Sequence, residues 1–187
     1  MIFIKKRPTF ISIVTNTLIR KLFTFIDRMR WRSYYLSIIH TFKHFGNSVT
    51  VDYGVQFGSP QNISIGSNVF IGKNALINAG KGGSIIIKDN AAIGANSTII
   101  TWNLNNLNNR TLTRSQNNNT FKDVVIGKGV GIGYNVTINP GIVLGDGCEI
   151  AAGSVVTKSV APFSIMAGSP AVMVGIRREQ VSNMNGV

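Results

Sequence analysis

The sequence predicts an all-β protein, a parallel β-helix built from six-residue repeats, with an α-helical extension at its N-terminus. The first observation is a series of aliphatic residues at every sixth position, namely Ile126, Ile132, Ile138, Leu144, Ile150 and Val156. The second is a similar series two positions upstream, namely Val124, Val130, Val136, Ile142, Cys148 and Ser154. Neither an α-helix nor an ordinary alternating strand has a period of six, whereas short strands separated by turns in a β-helix do. We therefore expect each repeat to form one face of a prism whose interior is a ladder of aliphatic side chains.

The same repeat continues toward the N-terminus. Its inward positions are Ile63, Ile65, Val69, Ile71, Ala75, Ile77, Ile85, Ile87, Ala91, Ile93 and Ile99, after a less regular start at Val49, Val51, Val55 and Phe57. Extra residues interrupt the period at 59–61 and 79–84, where we expect corner insertions, and at 101–122, where we expect a protruding loop. With three faces per coil and about 4.8 Å between coils, the repeat suffices for about five coils. The predicted β-helix spans 47–161, and 162–187 form a C-terminal tail.

Residues 1–46 form the predicted extension, which is basic and amphipathic. Residues 1–45 contain nine Lys and Arg against one acid, and so hold eight of the chain's twelve net positive charges. Apolar residues three or four apart form one helical stripe, namely Ile11, Val14, Leu18, Leu22, Phe25 and Met29. Two interpretations remain open: a helix that covers the end of the β-helix and packs on a neighbouring subunit, or a peripheral contact of residues 1–45 with an anionic membrane. No groove-reading motif or aromatic platform accompanies the charge, so we expect no nucleic-acid partner.

The single cysteine, Cys148, falls on an inward position of the ladder. We expect a small buried hydrophobic residue there rather than a reactive thiol. One cysteine excludes an intramolecular disulfide. No set of Cys, His, Asp and Glu has the spacing of metal ligands, so we expect no metal cofactor.

Three motifs in order resemble those of the hexapeptide-repeat acyltransferases. They are the repeat itself at 124–145, Ala-Gly-Ser-Val-Val-Thr-Lys at 152–158 and Gly-Ser-Pro-Ala at 168–171. The resemblance covers roughly residues 48–176 and is strongest to the sugar O-acetyltransferases of the maltose/galactoside and surface-polysaccharide branch. It implies a left-handed β-helix, a homotrimer, and acetyl-CoA as the acyl donor. The handedness is implied by the resemblance alone, since parallel crossovers are generally right-handed.

The resemblance also implies which residues contact acetyl-CoA. The matching positions are Tyr134, Ala152, Thr157 and Lys158, with Gly153 and Ser154 in the same motif. Lys158 could reach a phosphate, although a solvated turn lysine would have the same sequence context. In the family, two basic residues of the tail receive the 3′-phosphate, and here those positions hold Val172 and Gly175. The nearby Arg177 and Arg178 are the substitutes we expect for that contact.

The catalytic base is where the sequence departs from the family. Acetyl transfer to a sugar hydroxyl needs a general base, and the family uses a histidine near the start of the protruding loop. Here that position falls on Asn103, or on Leu104 or Asn105 if the gap is placed differently, and an amide cannot accept the proton. Three explanations remain open: a protein that binds without efficient catalysis, a different group as base, or His40 or His44 reaching the site of the same or a neighbouring subunit. The spacing of these two histidines would place them on one helix face.

The loop offers candidate contacts to an acceptor sugar. Residues 102–121 hold eight asparagines and two arginines but no acid. Amide groups suit sugar hydroxyls, and Trp102 offers a stacking surface, so we expect Trp102 and Asn105 to contact the substrate.

Taken together, the sequence predicts an acetyl-CoA-dependent O-acetyltransferase that modifies a sugar of a bacterial surface polysaccharide, such as a capsule, an O-antigen or an exopolysaccharide. The acceptor would be a sugar or a lipid-linked glycan, and the location cytoplasmic, with the inner face of the membrane as one option. The alternative is a catalytically impaired homologue that acts as a binding or scaffold protein. Asn103 favours the scaffold, and the preserved segment 152–158 favours the enzyme.

Overall fold

The N-terminal part of the described chain is one long helix. The computed structural model describes residues 10–104 and 119–177, and the chain divides into two units, 1–37 and 38–187. Helix α1, Phe10–Ile38, contains neither glycine nor proline, and Trp31 stacks on Tyr35 one turn later with ring centroids 5.6 Å apart. This confirms the predicted helical extension. No helix in the described ranges is long and apolar enough to cross a membrane.

The rest of the described chain is a parallel β-helix with three faces. Face A consists of β1 (His44–Phe45), β4 (Ile63–Ile65), β7 (Ile85–Ile87), β12 (Val124–Ile126) and β15 (Val143–Leu144). Face B consists of β2 (Thr50–Val51), β5 (Phe70–Ile71), β8 (Ala92–Ile93), β13 (Gly131–Ile132) and β16 (Glu149–Ile150), extended by β18 (Ser164–Gly168) and β19 (Ala171–Ile176). Face C consists of β3 (Gln56–Gly58), β6 (Leu76–Asn78), β9 (Thr98–Ile100), β14 (Thr137–Ile138) and β17 (Val155–Val156). The chain visits the faces in the order A, B, C, five times, which confirms the predicted β-helix and its five coils.

The core is the ladder that the period predicts. On face A the parallel register stacks Ile65, Ile87, Ile126 and Leu144 in one column, and all four are buried. Stacked aliphatic side chains exclude water along the whole axis, so each coil is stabilised by its neighbours. Cys148 is also buried, and burial raises the pKa of its thiol to about 11. The prediction of a buried, core-packing cysteine is therefore confirmed, and the raised pKa disfavours the reactive thiolate.

The insertions all occur at one corner of the prism. Residues 59–61, 79–84 and 101–123 each connect face C to face A, whereas the strands at the other two corners are joined by only four residues. Several of those turns need a left-handed backbone, which asparagine and glycine adopt most readily. Asn68 and Asn90, both with positive φ, stack in successive coils and are joined by a side-chain hydrogen bond of 2.8 Å.

An aromatic cluster lies at the N-terminal end of the β-helix. Phe42 is buried, and its ring makes edge contacts with Phe45 and Phe57 at 5.2 and 4.9 Å. Strand β1 pairs with β4, so the first coil begins at His44 rather than at residue 47. Burial of the Phe42 side chain is favoured by the hydrophobic effect, which explains why the helical path ends and the backbone becomes extended at Phe42.

The C-terminal part of the described chain forms an antiparallel hairpin. Strand β18 pairs with β16 and adds a further layer to face B, and β19 folds back on β18 after the cis Ser169–Pro170 peptide. The backbone N–H of Gly168 donates to the buried Ser154 hydroxyl at 3.1 Å, which ties the hairpin to the last coil.

Candidate active site

Face B carries an open groove with a volume of about 330 Å³. The outward column of this face changes size along the axis: Phe70 is followed by the small residues Ala92 and Gly131, and then by Glu149 and Ile165. The two small residues leave a hollow between the larger ones, and at Gly131 the floor of the groove is backbone. The inward positions of the repeat do not indicate this groove, which lies on outward positions. A glycine in the middle of a repeat's strand was the available signal.

The groove ends at the corner between faces B and C, where three of the expected cofactor contacts lie. Gly133 and Ala151 line the groove, and Tyr134 and Ala152 are their next neighbours in sequence. The Tyr134 side chain is 62% exposed, and its carbonyl accepts a hydrogen bond of 2.8 Å from the N–H of Gly153. The corner is tightly stacked, because a Cβ on Gly133 would lie 2.6 Å from the backbone nitrogen of Ala152. Tyr134 is therefore an exposed ring on a rigid support.

Ser154, Thr157 and Lys158 of the same motif lie away from the corner of Tyr134 and Ala152. Ser154 lies inside the coil, where its hydroxyl accepts the bond from Gly168, so its side chain is turned away from the surface. Thr157 and Lys158 are exposed at the corner between faces C and A. They lie at the opposite edge of face C from Tyr134. The two edges are separated by four extended residues, which span about 13 Å. A ligand that contacts both corners would have to cross face C.

Arg177 lies near the groove but is already engaged. Its Nε is 3.3 Å from a carboxylate oxygen of Glu149, which lines the groove. Its guanidinium also donates to the carbonyls of Gly129 and Gly147 at 3.4 and 3.5 Å. These contacts fasten the end of β19 to two turns of the β-helix. Arg178 lies outside the described residues.

The protruding loop leaves the β-helix as an antiparallel pair of strands. β10 (Trp102–Leu104) pairs with β11 (Asn119–Phe121), so that Trp102 faces Phe121 and Asn103 faces Thr120. The corner insertion 79–84 forms a seat for these strands: a Cβ on Gly80 would lie 2.7 Å from the Phe121 ring and 3.0 Å from that of Trp102. The buried Thr101 hydroxyl donates to the carbonyl of Ala79. Trp102 therefore anchors the hairpin.

Asn103 is exposed on this stem, and Asn105 lies outside the described residues. Gly80 and Gly82 of the insertion have no side chains, so the rings of the stem strands pack directly on the backbone there. This close packing holds Asn103 at a defined place. Asn103 follows the third coil, at the same corner of the prism as Lys158. An exposed asparagine on a supported strand can orient a hydroxyl, but it cannot accept its proton.

The two histidines do not share a helix face, and that expectation was wrong. His40 lies in a short 3-10 helix, Ile39–Thr41, and His44 lies in β1. The helical path ends at Phe42, whose backbone is extended and whose side chain enters the aromatic cluster. His44 belongs to the first coil and Asn103 follows the third, which separates them by about 10 Å along the axis of one protomer.

Comparison with known proteins agrees with this architecture. Two family models match, one described as bacterial transferase hexapeptide (six repeats) over residues 123–158, and one as hexapeptide repeat of succinyl-transferase over residues 62–100. The chain is 34% identical to galactoside O-acetyltransferase of Escherichia coli K12 over 67% of its own length and 59% of that protein. The chain thus spans less than two thirds of this curated relative.

Solved structures are similar over most of the described chain. A maltose O-acetyltransferase from Clostridium difficile 630 is 30% identical, with a TM-score of 0.67 over 75% of this chain and 72% of that one. A hexapeptide-repeat-containing acetyltransferase from Vibrio cholerae O1 biovar eltor, complexed with acetyl-CoA, is 28% identical, with a TM-score of 0.68 over 78% and 76%. The coils and their motifs define a hexapeptide-repeat β-helix. The chain belongs to the hexapeptide-repeat acyltransferase family, in which its relatives include the galactoside and maltose O-acetyltransferases.

Proposed function

We propose that this protein is an acetyl-CoA-dependent O-acetyltransferase that modifies a sugar hydroxyl of a bacterial surface polysaccharide. The observation that carries the proposal is the corner of Tyr134 and Ala152, which adjoins an open groove with a backbone floor. Small residues there let an extended thioester arm approach peptide N–H and C=O groups. A family relative is a galactoside O-acetyltransferase, and a structural neighbour is complexed with acetyl-CoA.

The proposed donor site uses two corners of face C. Tyr134, Ala152 and Gly153 would contact the pantetheine arm at one corner, and Thr157 and Lys158 would contact the nucleotide end at the other. Lys158 is exposed and carries a charge suited to a phosphate. Ser154 would act indirectly, by holding the hairpin of β18 and β19 in place. Arg177 would reach a phosphate only if it released Glu149.

The proposed reaction is the attack of a sugar hydroxyl oxygen on the thioester carbonyl. The C–O bond forms, the C–S bond breaks, coenzyme A leaves as the thiol, and a base must take the hydroxyl proton. Asn103 and Trp102 would hold the acceptor at the stem of the loop. Because Asn103 cannot take the proton, the base is another group, and a histidine of a neighbouring subunit is one candidate.

Further parts of the proposal concern assembly and location. A homotrimer would place the corners of one protomer beside the faces of the next. The acceptor would be a sugar or a lipid-linked glycan, met in the cytoplasm at the inner face of the membrane. A peripheral membrane contact through residues 1–45 would bring the protein to such an acceptor.

A second candidate function rests on a specific observation, the asparagine at the usual histidine position. A homologue without an efficient base would bind the donor or a glycan as a scaffold, since loss of a general base typically costs about 10²- to 10⁴-fold in rate. Donor binding alone would be retained.

The test is acceptor-dependent release of the coenzyme A thiol by the purified full-length protein. Acetyl-CoA is incubated with a panel of galactosides, maltose and polysaccharide fragments, with a no-sugar reaction as control. Thiol release that depends on one class of sugar supports the transferase. Binding of acetyl-CoA without release for any sugar supports the scaffold, and neither binding nor release would refute both functions.

A further inference from the structure

We propose that helix α1 binds the surface of an anionic phospholipid bilayer, lying parallel to it with one defined apolar stripe inserted. This inference deepens the proposed function, because it assigns the membrane contact to named residues and to one lipid chemistry. Its biological meaning rests on that function, but its test does not require acetyl transfer.

The apolar stripe consists of large side chains that are exposed to solvent. Leu18, Leu22, Phe25, Met29 and Leu36 follow one another at steps of three, four or seven residues, so they lie on one side of the helix. Each is between 53% and 60% exposed. The stripe is about 27 Å long at 1.5 Å per residue. An exposed apolar stripe of this kind is typical of helices that lie in a membrane interface.

Basic side chains border the stripe. Lys21, Arg28 and Arg32 are spaced by seven and four residues, which places them in a row along one edge of the stripe, and all three are exposed. Asp27, which is the one acidic residue of α1 in sequence, lies nine residues after Leu18 and therefore on the opposite side of the helix. The stripe is thus bordered by positive charge along one edge, and the negative charge is directed away from it.

The charge favours lipid over a second copy of this chain as the occupant. Residues 46–187 contain ten Lys and Arg against six Asp and Glu, so the remainder of the chain is itself positive. Packing the basic border of α1 on another copy would bring like charges together. Anionic lipid headgroups, in contrast, attract basic residues, and each one near the surface strengthens binding by about fivefold at low salt.

The experiment is flotation of the full-length protein with vesicles of phosphatidylcholine alone or mixed with phosphatidylglycerol. Phe25→Gln is compared with Phe23→Gln, a matched control: both phenylalanines are about 60% exposed, at 60% and 62%, but Phe23 lies off the stripe. We expect binding to the anionic vesicles only, weakened roughly tenfold or more by Phe25→Gln and much less by Phe23→Gln. One molar salt should also weaken it, because the Debye length falls from about 10 Å at 0.1 M to about 3 Å.

Three results would overturn the inference. They are no binding to anionic vesicles, equal binding to neutral vesicles, or equal loss in the two variants. Light scattering without lipid measures the oligomeric state. If Phe25→Gln dissociates an oligomer that Phe23→Gln leaves intact, the stripe packs on another copy of the chain, and this result would also overturn the inference. Circular dichroism confirms that both variants keep the helix. A negative flotation result with normal thiol release would reject the membrane contact and leave the transferase standing.

Discussion

Replacing Asn103 by histidine restores an imidazole at the position where the family resemblance places the catalytic base. Asn103 is exposed on the stem strand β10, opposite Thr120, and its strand rests on the corner insertion through Trp102 and Phe121. The substitution therefore changes no core contact, and its effect on the free energy of unfolding should stay within about 0.5 kcal/mol. Any change in rate then reports chemistry rather than folding.

The expected gain follows from general-base catalysis. A positioned base contributes about 10²- to 10⁴-fold, which corresponds to roughly 2.7 to 5.4 kcal/mol of activation free energy. In a site where no other group takes the proton efficiently, we expect Asn103→His to raise kcat for thiol release by at least about 10²-fold and to leave the affinity for acetyl-CoA unchanged. The gain should appear as the pH rises through about 6.5, because the imidazole accepts a proton only in its neutral form.

Thr120→His is the matched control. In an antiparallel pair the Cβ atoms of opposite residues are about 5 Å apart, so an imidazole at position 120 would approach the acceptor hydroxyl from a different position and direction. The control should therefore show little gain in the same stopped-time thiol assay. Equal rates for wild type and Asn103→His, with the fold and acetyl-CoA affinity intact, would refute the reasoning that the site lacks an efficient base.

Three further predictions concern other parts of the molecule. Gly82→Leu should disrupt the hairpin without unfolding the coils, because a Cβ there would lie 2.7 Å from the Phe121 ring; faster proteolysis of the loop than in wild type checks this, and unchanged proteolysis would contradict it. Gly131→Leu should weaken acetyl-CoA binding about tenfold while the melting temperature does not fall, since a Cβ there meets only Glu149 at 3.6 Å; unaltered affinity would separate the groove from the donor site. Cys148 should resist thiol reagents at pH 8 until the protein unfolds. Because its pKa is raised in the folded state to about 11, the stability it contributes is complete below the unfolded pKa of about 8.5 and is lost as the pH rises toward 11, which denaturant titrations at pH 8 and pH 10.5 can measure.

The fold was largely predictable because one physical requirement recurs every six residues. Ile126 and Leu144 must face the interior in successive coils, and only apolar side chains can do so without a large desolvation cost. The insertions could be located for the same reason, since each one breaks the period. The handedness came from the resemblance, because inward positions repeat in the same way in either hand.

The site was less predictable because its elements depend on contacts between distant residues. The seat that Gly80 provides for Trp102 joins two insertions about twenty residues apart, and no local pattern encodes it. The contacts of Arg177 with Glu149 and with the carbonyls of Gly129 and Gly147 likewise depend on where the last strand folds back. The histidine spacing was misleading because burial of Phe42 overrides helical periodicity at that point.

The most direct test of the account is calorimetric titration of the full-length protein with acetyl-CoA. Lys158→Ala removes the proposed phosphate contact, and Lys128→Ala removes another exposed lysine at a different corner of the prism. We expect binding in the micromolar range that Lys158→Ala weakens by tenfold or more, on the order of one charge-assisted hydrogen bond, and that Lys128→Ala leaves unchanged. Absence of binding by the wild-type protein, or equal affinity in the two variants, would contradict the proposed donor site.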